Sequence, residues 1–145
     1  MDIKVLFTDP VVDIDGVKYH HHPNGGGMVA ETAYVAETAY IGPFAKICGN
    51  ARITGEACVF GNAWVFDNAE VCDRADVFGN AKVFDNAIIR GDAKVYGFAS
   101  VFGNSMVSDF GEVCDTAEVS GNVRVYLKEK VSGNAKITGD SLVET

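Results

Sequence analysis

Residues 57–71 read Ala-Cys-Val-Phe-Gly-Asn-Ala-Trp-Val-Phe-Asp-Asn-Ala-Glu-Val. In this stretch a small residue is followed two positions later by valine, and the pair recurs every six residues. The aliphatic position continues as valine or isoleucine at every sixth residue from Val29 to Val143, twenty positions in all. A short period that is kept over most of a chain indicates a solenoid, in which one structural unit stacks on copies of itself.

The composition of each hexad predicts a short strand and a sharp turn. Alanine and valine two residues apart lie on the same side of an extended strand, so both are expected to point inward. The Gly-Asn or Asp-Asn step that follows tolerates the positive φ of a tight corner. Val123, Leu127 and Glu129 break the pattern. We therefore expect a local bulge or a loosened coil around residues 123–130.

A second period of eighteen residues lies on top of the first. The residue after each aliphatic is aromatic in two of every three hexads between 60 and 102, and asparagine recurs every eighteen residues from Asn50 to Asn122. Three hexads therefore make one turn of a triangular coil, and stacked asparagine side chains are expected to form a ladder along it. At a strand spacing of about 4.8 Å, about six turns give a prism roughly 30 Å long.

With its aliphatic, small, aliphatic spacing, as in Val59, Ala63 and Val65, the chain resembles the hexapeptide-repeat superfamily over residues 25–145. The resemblance implies an all-β fold, a left-handed parallel β-helix. The family often has glycine directly after the aliphatic residue, whereas here glycine comes one residue later. The Gly-Asn-Ala-x-Val form is most similar to repeat proteins of unassigned function from bacteria and phages.

Residues 1–24 lie outside the repeat and are predicted to form an N-terminal β cap, a hairpin or meander. Two strand-like runs, residues 3–7 and 11–14, flank Thr8-Asp9-Pro10, and Asp15-Gly16 predicts a further turn before residues 17–19. A stacked coil leaves unpaired backbone at its ends, so solenoids need caps. The repeat itself runs to Val143, and we expect its last turn to be frayed or covered by another molecule.

Composition indicates one acidic domain. The chain has 145 residues and a net charge of −8, which argues against nucleic acid as a direct ligand. No apolar run approaches the length of a membrane span, and no signal-peptide pattern is present. The four cysteines form no Cys-x-x-Cys pair and occupy outward hexad positions, so we expect reduced thiols and a cytoplasmic protein: Cys48, Cys58, Cys72 and Cys114.

The histidines of the chain are consecutive, His20-His21-His22. On a strand His20 and His22 would point to the same side, which suggests a metal site. Zinc usually needs three or four ligands, and no further ligand is evident in the sequence. We therefore predict no metal and no cofactor, and interpret the histidines as a polar, exposed linker before the glycine run.

The superfamily that the chain resembles also includes enzymes, so the resemblance implies catalysis as an alternative function. Its acyltransferases use a histidine base, an extruded loop and a C-terminal helix, and its carbonic anhydrases bind zinc through three histidines. This chain has no histidine from Pro23 to Thr145, and the hexad register never slips. An acidic base remains open, but aspartate at a turn is more often turn chemistry; the acidic neighbourhood comprises Asp67, Glu70, Asp73, Asp76 and Asp85. We therefore predict a non-enzyme, with an atypical acyltransferase as the alternative.

Aromatic residues mark the candidate interaction side. One column comprises Phe60, Phe78 and Tyr96; the next comprises Phe66, Phe84 and Phe102; the flat side between them displays Trp64, Lys82 and Ser100. The columns can simply stabilise the coil by stacking. Exposed aromatic residues on one side also indicate a protein contact.

The sequence therefore predicts a scaffold or interaction module, with no small-molecule substrate assigned. It would form a homo-oligomer, a dimer or trimer, or dock on another protein. A further alternative is a small acidic inhibitor, phage-encoded, that binds a host nucleic-acid-processing protein by mimicking nucleic acid.

Overall fold

Two-residue strands recur along the chain at the interval of the inward aliphatic residues. In the computed structural model, which describes residues 11–143, nearly every strand consists of that aliphatic residue and the residue before it. In chain order the strands are β1 (Val12–Ile14), β2 (Val17–His21), β3 (Met28–Ala30), β4 (Tyr34–Val35), β5 (Tyr40–Ile41), β6 (Lys46–Ile47), β7 (Arg52–Ile53), β8 (Cys58–Val59), β9 (Trp64–Val65), β10 (Glu70–Val71), β11 (Asp76–Val77), β12 (Lys82–Val83), β13 (Ile88–Ile89), β14 (Lys94–Val95), β15 (Ser100–Val101), β16 (Met106–Val107), β17 (Glu112–Val113), β18 (Glu118–Val119), β19 (Arg124–Val125), β20 (Lys130–Val131), β21 (Lys136–Ile137) and β22 (Leu142–Val143).

Successive strands of the coil pass to three different sheets and return to the first after eighteen residues. Sheet A has the order β1-β2-β3-β6-β9-β12-β15-β18-β21, sheet B runs β4-β7-β10-β13-β16-β19-β22, and sheet C runs β5-β8-β11-β14-β17-β20. Lys82, for example, pairs in parallel with Trp64 on one side and Ser100 on the other. The predicted parallel β-solenoid of about six turns is confirmed. We name its corners AB, BC and CA after the sheets that they join in chain order.

The core is a stack of aliphatic and small side chains. Val65, Val83 and Val101 lie one above another in sheet A with none of their surface exposed, and the alanines two residues before the aliphatic positions are buried in all coils except the terminal ones. Burying a valine side chain stabilises a fold by about 1.5–3 kcal/mol, so the repeated column supplies most of the driving force. The core opens at both ends of the coil, where Ala33 and Val35 on one side and Ala135, Ile137 and Val143 on the other are partly buried.

The corners are narrow because one turn residue adopts a left-handed conformation. Gly61 has φ 64°, and a Cβ at this position would lie 2.9 Å from the backbone nitrogen of Gly79 in the next coil. Glycine therefore fits both the torsion and the close approach of the coils. Leu127, with φ 56°, is the single large apolar residue with positive φ among residues 11–143.

The bulge expected around residues 123–130 is wrong. Arg124 pairs in register with Met106 and Leu142, and Lys130 pairs in register with Glu112. Val123 is fully buried in the position of the small residue. Serine occupies that position in the coils before and after it, at 105 and 141, so the extra volume of one valine is accommodated without a slip in register.

An antiparallel hairpin extends sheet A at the N-terminal side. β1 pairs with β2 through a turn in which Asp15 and Gly16 both have positive φ, as in a type I′ hairpin, and β2 pairs antiparallel with β3. The predicted turn and the predicted second and third strand runs are thus confirmed, and the run at residues 3–7 lies outside the described residues.

His22 corrects the interpretation of the histidines as an exposed linker. Its side chain is 4% exposed. One ring nitrogen, Nε2, lies 3.1 Å from the carbonyl oxygen of Ala36, and the other, Nδ1, lies 3.1 Å from the backbone nitrogen of Asn24. An imidazole carrying its proton on Nε2 donates to Ala36 and accepts from Asn24. The ring therefore connects the cap to the first coil.

Candidate functional site

The outward residues of sheet A form one straight row. Because sheet pairing places residues eighteen apart side by side, the row reads Met28, Lys46, Trp64, Lys82, Ser100, Glu118 and Lys136. Trp64 is partly buried, and the ammonium groups of Lys46 and Lys82 lie 5.5 and 5.8 Å from the centroid of its ring. The Lys46 ammonium also lies 5.2 Å from the ring of Tyr19 in the cap. Contacts of this kind contribute about 0.5–1 kcal/mol at exposed sites.

The column at corner AB leans over sheet A. Phe66, Phe84 and Phe102 stack with ring centroids 4.8 Å apart and nearly parallel planes. The ring of Trp64 contacts that of Phe66 at a centroid distance of 4.5 Å, and its indole nitrogen donates to the sulfur of Cys48 at 2.9 Å. The column thus forms a raised aromatic edge along the sheet A row.

The column at corner CA leans the other way. Phe60, Phe78 and Tyr96 are stacked with centroids 4.8 and 4.9 Å apart. The hydroxyl of Tyr96 donates to Glu112, an outward residue of sheet C, at 2.8 Å. This hydrogen bond, together with burial and the neighbouring Cys114, raises the pKa of the Tyr96 phenol well above its usual value. Both columns therefore stand at the corners that flank sheet A; Phe66 of the AB column contacts the sheet A row, whereas Tyr96 of the CA column contacts sheet C.

The most exposed aromatic residues were missed from the sequence. All six column aromatics are partly buried, whereas Phe44, Phe98 and Phe110 expose 78, 66 and 57% of their surface. Each occupies the turn position where most other hexads carry a polar or charged residue. That departure from the repeat is the sequence signal for them, because a turn tip offers little surface for an aromatic ring to pack against.

The acidic neighbourhood serves the turns. Asp67, Asp73 and Asp85 have φ between 56 and 58°, and their carboxylates accept hydrogen bonds from the backbone N–H groups one coil further on. Asp109 and Asp115 repeat the arrangement. The interpretation of these aspartates as turn chemistry is confirmed for Asp67, Asp73 and Asp85. The aspartates thus make turn-to-turn bonds to the backbone, and the side chain of Asn122 donates to Asp140 one coil further on at 2.8 Å.

The environments of Cys58 and Cys72 disfavour thiolates. Burial first, and then the neighbouring Asp76, raises the pKa of the Cys58 thiol. Burial and the nearby Asp73 do the same at Cys72. A raised pKa keeps a thiol protonated at neutral pH and makes it a poor nucleophile. All four cysteines are free, and Cys114, expected at the surface, is buried.

Metal and membrane features are absent from the part of the chain that the structure describes. Within residues 11–143, no three histidine, cysteine or acidic side chains converge on a common point where an ion would bind. In the same range, no helix has the length and apolar character that crossing a membrane requires.

Comparisons with known proteins give no relative from which a function follows. No protein-family model matches the chain, and no curated protein matches it at a significant level. The geometry of the surface is therefore the basis for assigning a function.

Proposed function

We propose that this protein is a non-enzymatic interaction module, a left-handed β-helix of the hexapeptide-repeat superfamily, which binds a protein through the sheet A side. The contact comprises Trp64, Lys82 and the AB column of Phe66, Phe84 and Phe102. The partner is a second copy or another protein.

The observation that carries the proposal is the placement of Trp64. The core beneath it is filled by other residues, since Val65 and Ala63 are buried and lie on the opposite face of the strand from Trp64. Trp64 instead lies on the outer surface, between two lysines and against Phe66. Tryptophan is the residue most enriched at the energetic centres of protein interfaces, and its ring combines apolar area with a polar edge.

The charges of the sheet A row support binding of a partner with acidic groups. In a chain of net charge −8, the row carries Lys46, Lys82 and Lys136 against a single carboxylate, Glu118. A row of lysines on an otherwise acidic protein attracts the acidic surface of a partner, whereas the rest of the protein repels it. Association is therefore steered towards the sheet A side. The CA column stands at the other corner of sheet A, and the hydroxyl of Tyr96 is bonded to Glu112 on sheet C, so we assign this column to the stability of the coil.

The proposal is tested by placing a charge in the centre of the aromatic edge. Phe84→Glu introduces an unpaired carboxylate between Phe66 and Phe102, which costs several kcal/mol in a desolvated contact. We expect light scattering at low micromolar concentration to report loss of the homo-oligomer, or affinity capture to report loss of a partner protein.

The matched control is Ile88→Glu, which puts the same charge on a partly buried outward residue of sheet B in the same coil. It should leave assembly unchanged. Equal behaviour of the two variants, with both folded by circular dichroism, would contradict a contact at sheet A. Saturable acetyl transfer from acyl-CoA that a single substitution abolishes would favour the acyltransferase alternative.

A further inference from the structure

A second row of outward residues lies at corner BC. The third residue of the BC turn reads Glu56, Arg74, Asp92, Phe110 and Lys128 over five successive coils that follow the first BC turn; we call these five the BC ridge. Four of them are exposed, and Asp92 is partly buried. Because BC is the corner between sheets B and C, the ridge points away from sheet A, across the full width of the prism.

The BC ridge and the sheet A row have complementary residues in five successive coils. At a constant offset of ten residues, the three charged residues between 46 and 118 of the row each meet an opposite charge of the ridge, and Lys136 lies beyond the last ridge residue: the pairs are Lys46 with Glu56, Lys82 with Asp92 and Glu118 with Lys128. Trp64 corresponds to Arg74, and a guanidinium packs favourably on an indole face. The smallest residue of the row, Ser100, corresponds to the largest residue of the ridge, Phe110.

This complementarity cannot be satisfied within one molecule, since the buried core separates the two rows. The contacts that these residues make inside the chain are local and exposed. Arg74 pairs with Asp92 at 3.0 Å along the ridge, and Glu118 lies 4.0 Å from Lys136 along the row. Exposed pairs of this kind contribute little to stability, so both rows remain available to a neighbour.

We propose that the sheet A row of one molecule binds the BC ridge of a second copy of this chain, with the two coil axes parallel. This inference rests on the proposed function, because it names the occupant of the sheet A side. The exposed Phe110 of the second copy then lies over Ser100, beside the AB column at Phe102, and loses its contact with water.

Charge also selects this register over its neighbour. Moving the second copy along the coil axis by one coil, about 4.8 Å, changes the pairing. Each row residue then faces the ridge residue eight positions before it in the sequence, instead of the one ten positions after it. Lys82 then meets Arg74, and Lys136 meets Lys128, so two pairs of like charges face each other. Like charges opposed across a contact disfavour it. The opposite shift by one coil brings Lys46 to Arg74, so both neighbouring registers contain like-charge pairs and the ten-residue offset contains none.

The contact is heterologous, because a face binds the corner opposite to it. Such a contact leaves the ridge of one copy and the row of the other unused, so it propagates into an open lateral array instead of a closed ring. Five coils provide a strip only about 20 Å long. The area is below that of a stable standard interface, so the association is expected to depend on concentration and to weaken with salt.

The test uses charge reversal at one pair. Lys82→Glu damages the row, Asp92→Lys damages the ridge, and the double variant Lys82→Glu/Asp92→Lys restores the pair between copies. By sedimentation velocity at low ionic strength, we expect each single variant to weaken association about tenfold or more, and the double variant to recover to within about threefold of the wild type. Lys94→Glu, on sheet C in the same coil, should have no such effect.

Mixing the two single variants provides an independent arm. The Lys82→Glu variant keeps an intact ridge and the Asp92→Lys variant keeps an intact row, and these two surfaces fit each other. A 1:1 mixture should therefore associate more strongly than either variant alone. Wild type that stays monomeric at several hundred micromolar overturns the inference, as does a double variant as weak as the singles. If Phe84→Glu abolishes binding of another protein while every ridge variant behaves as wild type, the ridge inference is wrong and the proposed function stands.

Discussion

Val83→Asp tests the inward and outward assignment on which every other conclusion depends. Val83 has none of its surface exposed and lies between Val65 and Val101 in the core of sheet A. Lys82, one residue earlier in the same strand, is exposed and pairs with the same two coils. The same substitution at these adjacent positions therefore places a carboxyl group in the dry core or in solvent.

The expected difference follows from the burial of each side chain. At Val83 the substitution removes apolar burial of about 1.5–3 kcal/mol and buries an unsatisfied polar group at a further cost of about 1–3 kcal/mol. The sum is a large part of the usual stability of a domain, 5–15 kcal/mol in order of magnitude. Lys82→Asp loses only its contact with Trp64, about 0.5–1 kcal/mol.

Thermal unfolding followed by circular dichroism separates the two outcomes. At about 2–4 °C per kcal/mol for a domain of this size, Val83→Asp should lower the Tm by roughly 5–20 °C or prevent folding, and Lys82→Asp by no more than about 4 °C. The measurement is made at low protein concentration, so that association does not contribute. Similar Tm shifts for the two variants would refute the assignment of alternate residues to core and surface.

Three further predictions concern the cap and two turn-region residues. His22→Ala removes the connection between cap and Ala36 and should speed hydrogen exchange in β2 and β3 while leaving the later coils protected; uniform exchange would contradict it. Because the folded-state pKa of Tyr96 is raised, its stabilisation is complete below the unfolded pKa of about 10 and declines as the pH rises above it. Urea unfolding should therefore show the wild type losing stability above pH 10, and Tyr96→Phe should lose less. Leu127→Gly relieves the left-handed strain of a leucine and should raise stability by up to about 1 kcal/mol, so a lower midpoint in urea would be inconsistent with strain there.

A feature of this protein could be predicted from the sequence when its cause lies within one hexad, and could not when its cause is a contact with another coil. The bulge predicted at residues 123–130 from Val123, Leu127 and Glu129 is wrong, and at Val123 the reason is that its fit depends on the small residues stacked on either side, Ser105 and Ser141. The burial of His22 could not be predicted because its hydrogen-bond partner, Ala36, belongs to a coil that must already be folded. The exposure of Phe110 has a sequence signal, an aromatic residue at a turn tip, although only the structure shows that no neighbouring coil covers it.

The sequence by itself determined the solenoid, its eighteen-residue turn and which residues face the core. A strict six-residue period admits only one alternation, in which Val83 is inside and Lys82 outside, and a slip of one residue would bury every charge of the strand. Only the tertiary structure decided where the corner side chains go. A residue at a corner can lean over either adjoining sheet, and the choice depends on contacts from the next coil: Phe66 lies against Trp64 on sheet A, and Tyr96 reaches Glu112 on sheet C.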